Sequence, residues 1–191
     1  LSWGHRMPVD DLIDAKSIER YDHLNPKGKA TELTKTDLSL QANAVFFEEA
    51  GVHQILVNRK PSINTYILDE KGERQFKRGP KTLYKDSKID SAARSQQCAK
   101  AIVIVGKPGT DAPRALGQAI EIVPLDGPVA WTVNATLRFK VLLEGQPLAA
   151  TDVTARYVGF RPDDAWCYST KSHRNGEFTI RPHHPGTWVL K

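Results

Sequence analysis

The sequence predicts a mainly β protein made of two β-sandwich domains. The carboxy-terminal one is immunoglobulin-like or transthyretin-like, and the amino-terminal one carries one short helix. Three observations lead there. From Gln118 to Lys191, short runs rich in Val, Ile, Leu, Phe, Tyr and Thr are separated by Gly, Pro or Asn. The stretch Gly106-Lys107-Pro108-Gly109-Thr110-Asp111-Ala112-Pro113 reads as a linker, which puts one domain at 1–108 and the next at 114–191. Ahead of it, Leu38 to Phe47 alternates apolar and polar residues with the period of a half-buried strand.

The elements follow in order. Leu12 to Glu19 places Leu12, Ile13, Ala15 and Ile18 at a loose helical spacing, and Tyr21 to Leu24 reads as a strand entering the turn Asn25-Pro26-Lys27-Gly28. In Leu38 to Phe47 the inward set is Leu38, Leu40, Ala42, Ala44 and Phe46. Val52 to Val57 is apolar on both faces, as in a strand covered on both sides, and Pro61 ends it. Thr65 to Leu68 and Gln75 to Lys77 flank Asp69-Glu70-Lys71-Gly72 as a hairpin. Asp86 caps a helix with Ile89, Ala92, Ala93, Gln96 and Ala99 on one stripe, leading into the buried strand Ala101 to Val105.

In the second domain the expected strands are Ala119 to Val123, Thr136 to Leu143, Asp152 to Val158, Glu177 to Ile180 and Thr187 to Leu190. Glu144-Gly145-Gln146-Pro147-Leu148-Ala149 turns the chain between two of them. Arg174-Asn175-Gly176-Glu177 favours a tight type I′ hairpin.

Composition narrows the function classes. Over 191 residues, 40% hydrophobic and 26% charged content suit a folded globular chain rather than a disordered or coiled-coil one. No apolar run approaches the ~20 residues that cross a bilayer as a helix. The 27 Lys and Arg against 22 Asp and Glu give +5 without a dense tract. Lys77-Arg78-Gly79-Pro80-Lys81 reads as a basic surface loop, and nucleic acid is not the expected partner. The two cysteines, Cys98 and Cys167, fit either one disulfide closing a loop of roughly 70 residues or two separate buried thiols.

Two groups of residues could hold a metal. His5 with Asp10 and Asp11 is one. Cys167, His173 and His183 or His184 is the other, with His183 and His184 at the turn before Pro185-Gly186. His23 and His53 stand alone among strand residues and read as surface or internally satisfied histidines. Trp3, Trp131, Trp166 and Trp188 are core or rim aromatics, or a sugar platform. An enzyme is not expected. The adjacent carboxylates Glu48-Glu49 and Asp163-Asp164 have no nucleophile or base beside them, and Gly106-Lys107-Pro108-Gly109 lacks the spacing of a phosphate loop.

Several of these stretches resemble a bacterial exported family, NikM-like, described as periplasmic components of nickel and cobalt uptake systems. They are Glu121-Ile122-Val123-Pro124-Leu125, Leu142-Leu143-Glu144-Gly145-Gln146-Pro147-Leu148, Asn175-Gly176-Glu177-Phe178 and Pro185-Gly186-Thr187-Trp188. Gly4-His5-Arg6-Met7-Pro8 is similar to that family's Gly-His-Pro segment, and Cys98-Ala99-Lys100-Ala101 to its helix-to-strand junction. The resemblance implies a periplasmic or otherwise exported protein that binds nickel or cobalt, with His5 as leading ligand, and hands the ion to a membrane transporter subunit. It also implies that a signal peptide and further strands lie outside this chain. The competing expectation is a non-catalytic cell-envelope sandwich that binds protein or glycan.

Overall fold

The computed structural model describes Leu1, residues 10–161 and residues 165–191. The chain is mainly β, in antiparallel sheets with a sandwich-like arrangement, and the helical content among the described residues is three single 3-10 turns. The first seven strands are β1 (Ile18–Leu24), β2 (Ala30–Glu32), β3 (Gly51–Arg59), β4 (Ser62–Leu68), β5 (Arg74–Arg78), β6 (Lys88–Ser95) and β7 (Cys98–Val105). They form a four-stranded sheet in the order β2-β1-β3-β7 and a three-stranded sheet in the order β5-β4-β6.

One backbone hydrogen bond bridges these two sheets. Arg59 N–H donates to Gln97 O at 2.9 Å, so the β3–β7 pairing runs on into β4–β6 past the break at Lys60-Pro61. Proline has no N–H to give the ladder, which is why the strand breaks there. The β4-β5-β6 sheet therefore extends from the body as an arm. From Ser62 to Ser95, Thr65 is the one buried residue.

The later strands are β8 (Ile120–Pro124), β9 (Leu137–Leu143), β10 (Gln146–Pro147), β11 (Asp152–Tyr157), β12 (Tyr168–Lys171), β13 (Glu177–Ile180) and β14 (Trp188–Leu190). In one sheet β9 pairs with β8 on one side and with β13 and β10 on the other; the second sheet runs β12-β11-β14. Between them lies an apolar core of Leu137, Phe139, Val141, Val153, Phe178 and Ile180, with Phe139 and Phe178 stacked at 5.4 Å. Glu144 and Gly145, both at positive φ, make the two-residue turn joining β9 to β10.

Every strand pairing among the described residues falls within 18–105 or within 120–190. Polar side chains stitch the two parts together. Glu121 accepts from Lys100 Nζ at 2.6 Å and from the N–H groups of Leu116, Gly117 and Gln118. Gln118 Nε2 reaches Val57 O, Asn58 Oδ1 and Ala99 O. β3 is thus covered on both faces, as its apolar pattern predicts, with Leu56 fully buried.

Several expectations are corrected. The helix from Asp86 to Ala99 is instead β6 and the start of β7. Its alanines favour helix locally, but ladder bonds to β4 and β3 win. Asp90 sits in a register shift opposite Tyr66 and Ile67, which hides the strand period. Leu12 to Glu19 holds one 3-10 turn, Ala15–Ser17, before β1 begins. Asn175-Gly176 does not join two paired strands: it carries the chain from β12 in one sheet to β13 in the other. Cys98 and Cys167 are free thiols, and Cys167 Sγ–H donates to Ala155 O at 3.4 Å.

The segment Leu38 to Phe47 is not the expected strand: it makes one isolated bridge, Ser39 to Ile13, and turns at Gln41 with φ 33°, while its burial alternates in the opposite phase. Leu38, Leu40, Ala42, Ala44 and Phe46 face out, while Gln41 is buried. The Gln41 amide donates to Ile13 O and Asp37 O and accepts from Thr36 N–H, adding to the single backbone bridge between Ser39 and Ile13. One buried glutamine sets the phase of ten residues.

Candidate functional site

The Gln41-anchored segment crosses the face of β1 and β3 that carries Tyr21, His23, His53, Ile55 and Val57. Cross-strand register places His23 opposite Ile55, so both histidines fall on this face, one residue pair apart along the sheet. Beyond Gln41 the segment brings Phe47 edge-on to both imidazoles, at 5.6 Å from His23 and 4.8 Å from His53. Ala44, Val45, Glu48, Glu49, Asn25 and Lys29 complete an open groove of about 340 Å³ around the pair.

The two imidazoles meet directly: His23 Nε2 lies 2.9 Å from His53 Nδ1. Their centroids are 5.1 Å apart and their planes differ by 14°. That separation is close to the longest such a nitrogen contact permits, so the rings meet edge to edge with each nitrogen aimed at the other. His53 Nε2 lies 2.8 Å from Glu49 O. A carbonyl only accepts, so His53 carries its proton on Nε2, its Nδ1 presents a lone pair, and His23 Nε2–H donates to it. Burial, with His53 beside it, holds His23 below the ordinary histidine value of 6.5, which keeps the ring neutral at neutral pH.

An unprotonated imidazole nitrogen is a donor for a divalent transition metal; in the free protein the His53 Nδ1 lone pair accepts from His23, so the two rings would part to take up an ion. In such sites the remote ring nitrogen is commonly tied to a backbone carbonyl or carboxylate, which fixes tautomer and orientation. His53 already has that anchor. His23 would supply Nε2 after moving its proton to Nδ1. Glu49, hydrogen-bonded to Lys27 Nζ at 2.7 Å, and the exposed Glu48 are the carboxylates on the groove wall. Among the described residues no group of three or more His, Cys, Asp or Glu stands close enough to hold a metal, so the pair is a two-ligand nucleus.

His5 falls outside the described residues, as do Trp3 and the pair Asp163-Asp164. Asp10 and Asp11 are exposed, and Asp11 Oδ1 accepts from Leu12 N–H at 2.7 Å. Cys167, His173, His183 and His184 do not converge. His173 is exposed at the turn before β13, where its N–H donates to Glu177 O. His184 stacks on Tyr157 at 4.0 Å, and His183 stands edge-on to Tyr157 and Trp188. Trp131 Nε1–H donates to Asp126 O, and Trp166 lies under the Arg156 guanidinium at 5.0 Å. Trp131, Trp166 and Trp188 therefore each serve their own local packing.

One comparison with known proteins decides kinship. A family model described as a domain of unknown function, DUF4198, matches residues 1–191. The chain belongs to the DUF4198 family. No curated protein and no solved structure gives a significant match. The DUF4198 description assigns no activity, so the chemistry of this member rests on its own residues. His23 and His53 were set aside in the sequence because nothing local links them. Their shared strand phase, Tyr21 and His23 against His53, Ile55 and Val57, is the one signal that could have paired them.

Proposed function

We propose that this DUF4198 protein is an exported, non-catalytic binder of nickel or cobalt ions, and that His23 and His53 form the nucleus of its metal site. The observation that supports this is the imidazole pair itself. Two imidazoles meet at 2.9 Å beside a groove walled by carboxylates, and a main-chain carbonyl fixes the ring orientation of one. Ligation needs unprotonated imidazole nitrogens, so acid favours release of the ion. The resemblance to nickel and cobalt uptake components supports the choice of ions and a membrane transporter as recipient. No helix among the described residues is long and apolar enough to cross a membrane.

Calorimetric titration with nickel and with cobalt at pH 7.5 and pH 5 tests the reading. Binding should weaken in acid, and His23→Gln and His53→Gln should each weaken it roughly tenfold or more. Loss of binding in His5→Ala with both pair variants unaffected would move the site to the amino terminus. Absence of heat in the wild type at either pH would overturn the metal reading. The alternative is a cell-envelope module that binds protein or glycan. It is favoured by the aromatic cluster of Tyr157, Phe160, His184 and Trp188 at one end of the sandwich.

A further inference from the structure

The arm is the least buried part of the molecule and the most positively charged. From Lys60 to Ser95 there are nine Lys and Arg against five Asp and Glu, so this stretch carries +4 of the chain's +5. All nine basic residues are exposed. Part of the acidic charge is engaged: Asp69 accepts from the N–H groups of Lys71 and Glu73 and from Gln75, and Asp90 pairs with Arg74 at 2.8 Å. The arm's net charge is therefore carried by exposed basic side chains on its strands and loop.

The arm also exposes large apolar groups. Leu83 is 68% exposed in the loop after β5, between Lys81 and Lys85, and Ile63 is 42% exposed on β4. Register puts Ile63, Thr65, Lys77, Ala92 and Arg94 on one face, because Thr65 opposes Lys77 and Ala92 while Ile63 opposes Arg94. Between that face and the loop runs a shallow groove lined by Ile63, Pro80, Lys81, Ile89 and Arg94. Thr65 Oγ1–H donates to Gly79 O at 2.7 Å and holds the loop base against this face. A three-stranded sheet with one buried residue contributes little to stability by itself, and its Leu83 and Ile63 side chains are exposed to water.

We infer that the arm docks on an anionic phospholipid surface, with Leu83 and Ile63 at the acyl boundary and Lys77, Lys81, Lys85 and Arg94 among the headgroups. Charge decides among occupants. A second copy of the chain would set +4 against +4. An acidic peptide or a phosphate would call for basic groups converging on one point, whereas these nine are spread over strands and loop. A planar anionic surface meets such a spread, and basic residues around exposed apolar ones are the composition of interfacial binding. Stacking on nucleic-acid bases is disfavoured, because Tyr66 is covered by Arg74 at 4.0 Å and by Phe76 edge-on.

Co-sedimentation with vesicles tests this. One set is phosphatidylcholine alone, and the other replaces one lipid in three with phosphatidylglycerol. The chain should partition at least tenfold more strongly onto the anionic vesicles, with the preference lost at high salt. The triple variant Lys77→Glu, Lys81→Glu, Lys85→Glu should abolish the preference. Leu83→Ser should weaken binding severalfold and leave its salt dependence unchanged. A control with the same charge change, Lys107→Glu, Lys171→Glu, Arg174→Glu, should bind like the wild type. All seven positions are exposed, and melting curves will show each variant folded. Equal binding to both vesicle types, equal loss in both triple variants, or binding to single-stranded DNA with none to vesicles would overturn the inference.

Discussion

The carboxy-terminal sandwich and the amino-terminal sheet solve the same packing problem in different ways. The sandwich closes over six buried apolar side chains from β9, β11 and β13, each placed by simple alternation. The amino-terminal sheet and its cover bury Ile13, Ile18, Tyr21 and Val57, but beside them lie Asp22, Gln41, His53 and Gln54. Burying a polar group costs free energy unless it is hydrogen-bonded, so the bonds of Asp22, Gln41 and His53 tie their surroundings to one arrangement. Apolar alternation yields a regular scaffold. Polar latching yields an irregular cover that can hold two imidazoles nose to nose.

The strongest way to break this contrast is in the sandwich. Phe178→Ala removes a fully buried ring stacked on Phe139 and should cost about 4 kcal/mol in urea unfolding. If the two parts are independent, the His23–His53 groove will keep its hydrogen-exchange protection while the sandwich loosens.

Next comes the seam. Lys100 and Glu121 have side chains 8% and 1% exposed, and burial pulls the Lys100 ammonium below its ordinary value against the opposing effect of Glu121. Lys100→Ala leaves a buried carboxylate without its cation and should cost about 3 kcal/mol. Merging of two unfolding transitions into one in the wild type, and their separation in Lys100→Ala, would sharpen the view of the seam as the coupling element.

Gln41→Ala should cost about 2 kcal/mol, because Ile13 O, Asp37 O and Thr36 N–H lose a buried partner. Its diagnostic effect is local. Amide exchange should rise across residues 36–48 and leave β9 and β13 unchanged. Uniform exchange changes would contradict the latch.

The smallest effect is electrostatic. Asp126 accepts from Arg138 Nε, Nη2 and backbone N–H, and these hold its carboxyl below the ordinary value of 3.8. A depressed carboxyl stabilises the fold above its unfolded value and loses that contribution as pH falls through the folded one. The wild type should therefore lose stability below about pH 4, and Asp126→Asn should flatten that part of the acid limb.

The same contrast explains what could be read from the sequence. β8, β9, β11, β13 and β14 follow from apolar runs between Gly and Pro punctuation, within one or two residues at either end. β12, Tyr-Ser-Thr-Lys, has too little apolar content to stand out. The alanines of β6 mimic a helical stripe, and the ladder that overrules them lies some thirty residues away in β4. At Leu38 to Phe47 the period was legible and the phase was not, because the inward position that fixes it is a glutamine. The histidine pair was hidden for the same reason: it depends on a register between β1 and β3 and on a cover segment that apolar patterning misplaces.

The central claim is that His23 and His53 share a proton in the free protein and share a metal ion when it is present. Proton NMR of the chain loaded with cobalt(II) tests it most directly, because the ion shifts the ring protons of its ligands far outside the normal range. The account predicts two sets of shifted imidazole signals, one lost in His23→Gln and the other in His53→Gln. Shifted signals that survive both variants, and vanish instead with His5, His173, His183 or His184, would contradict it.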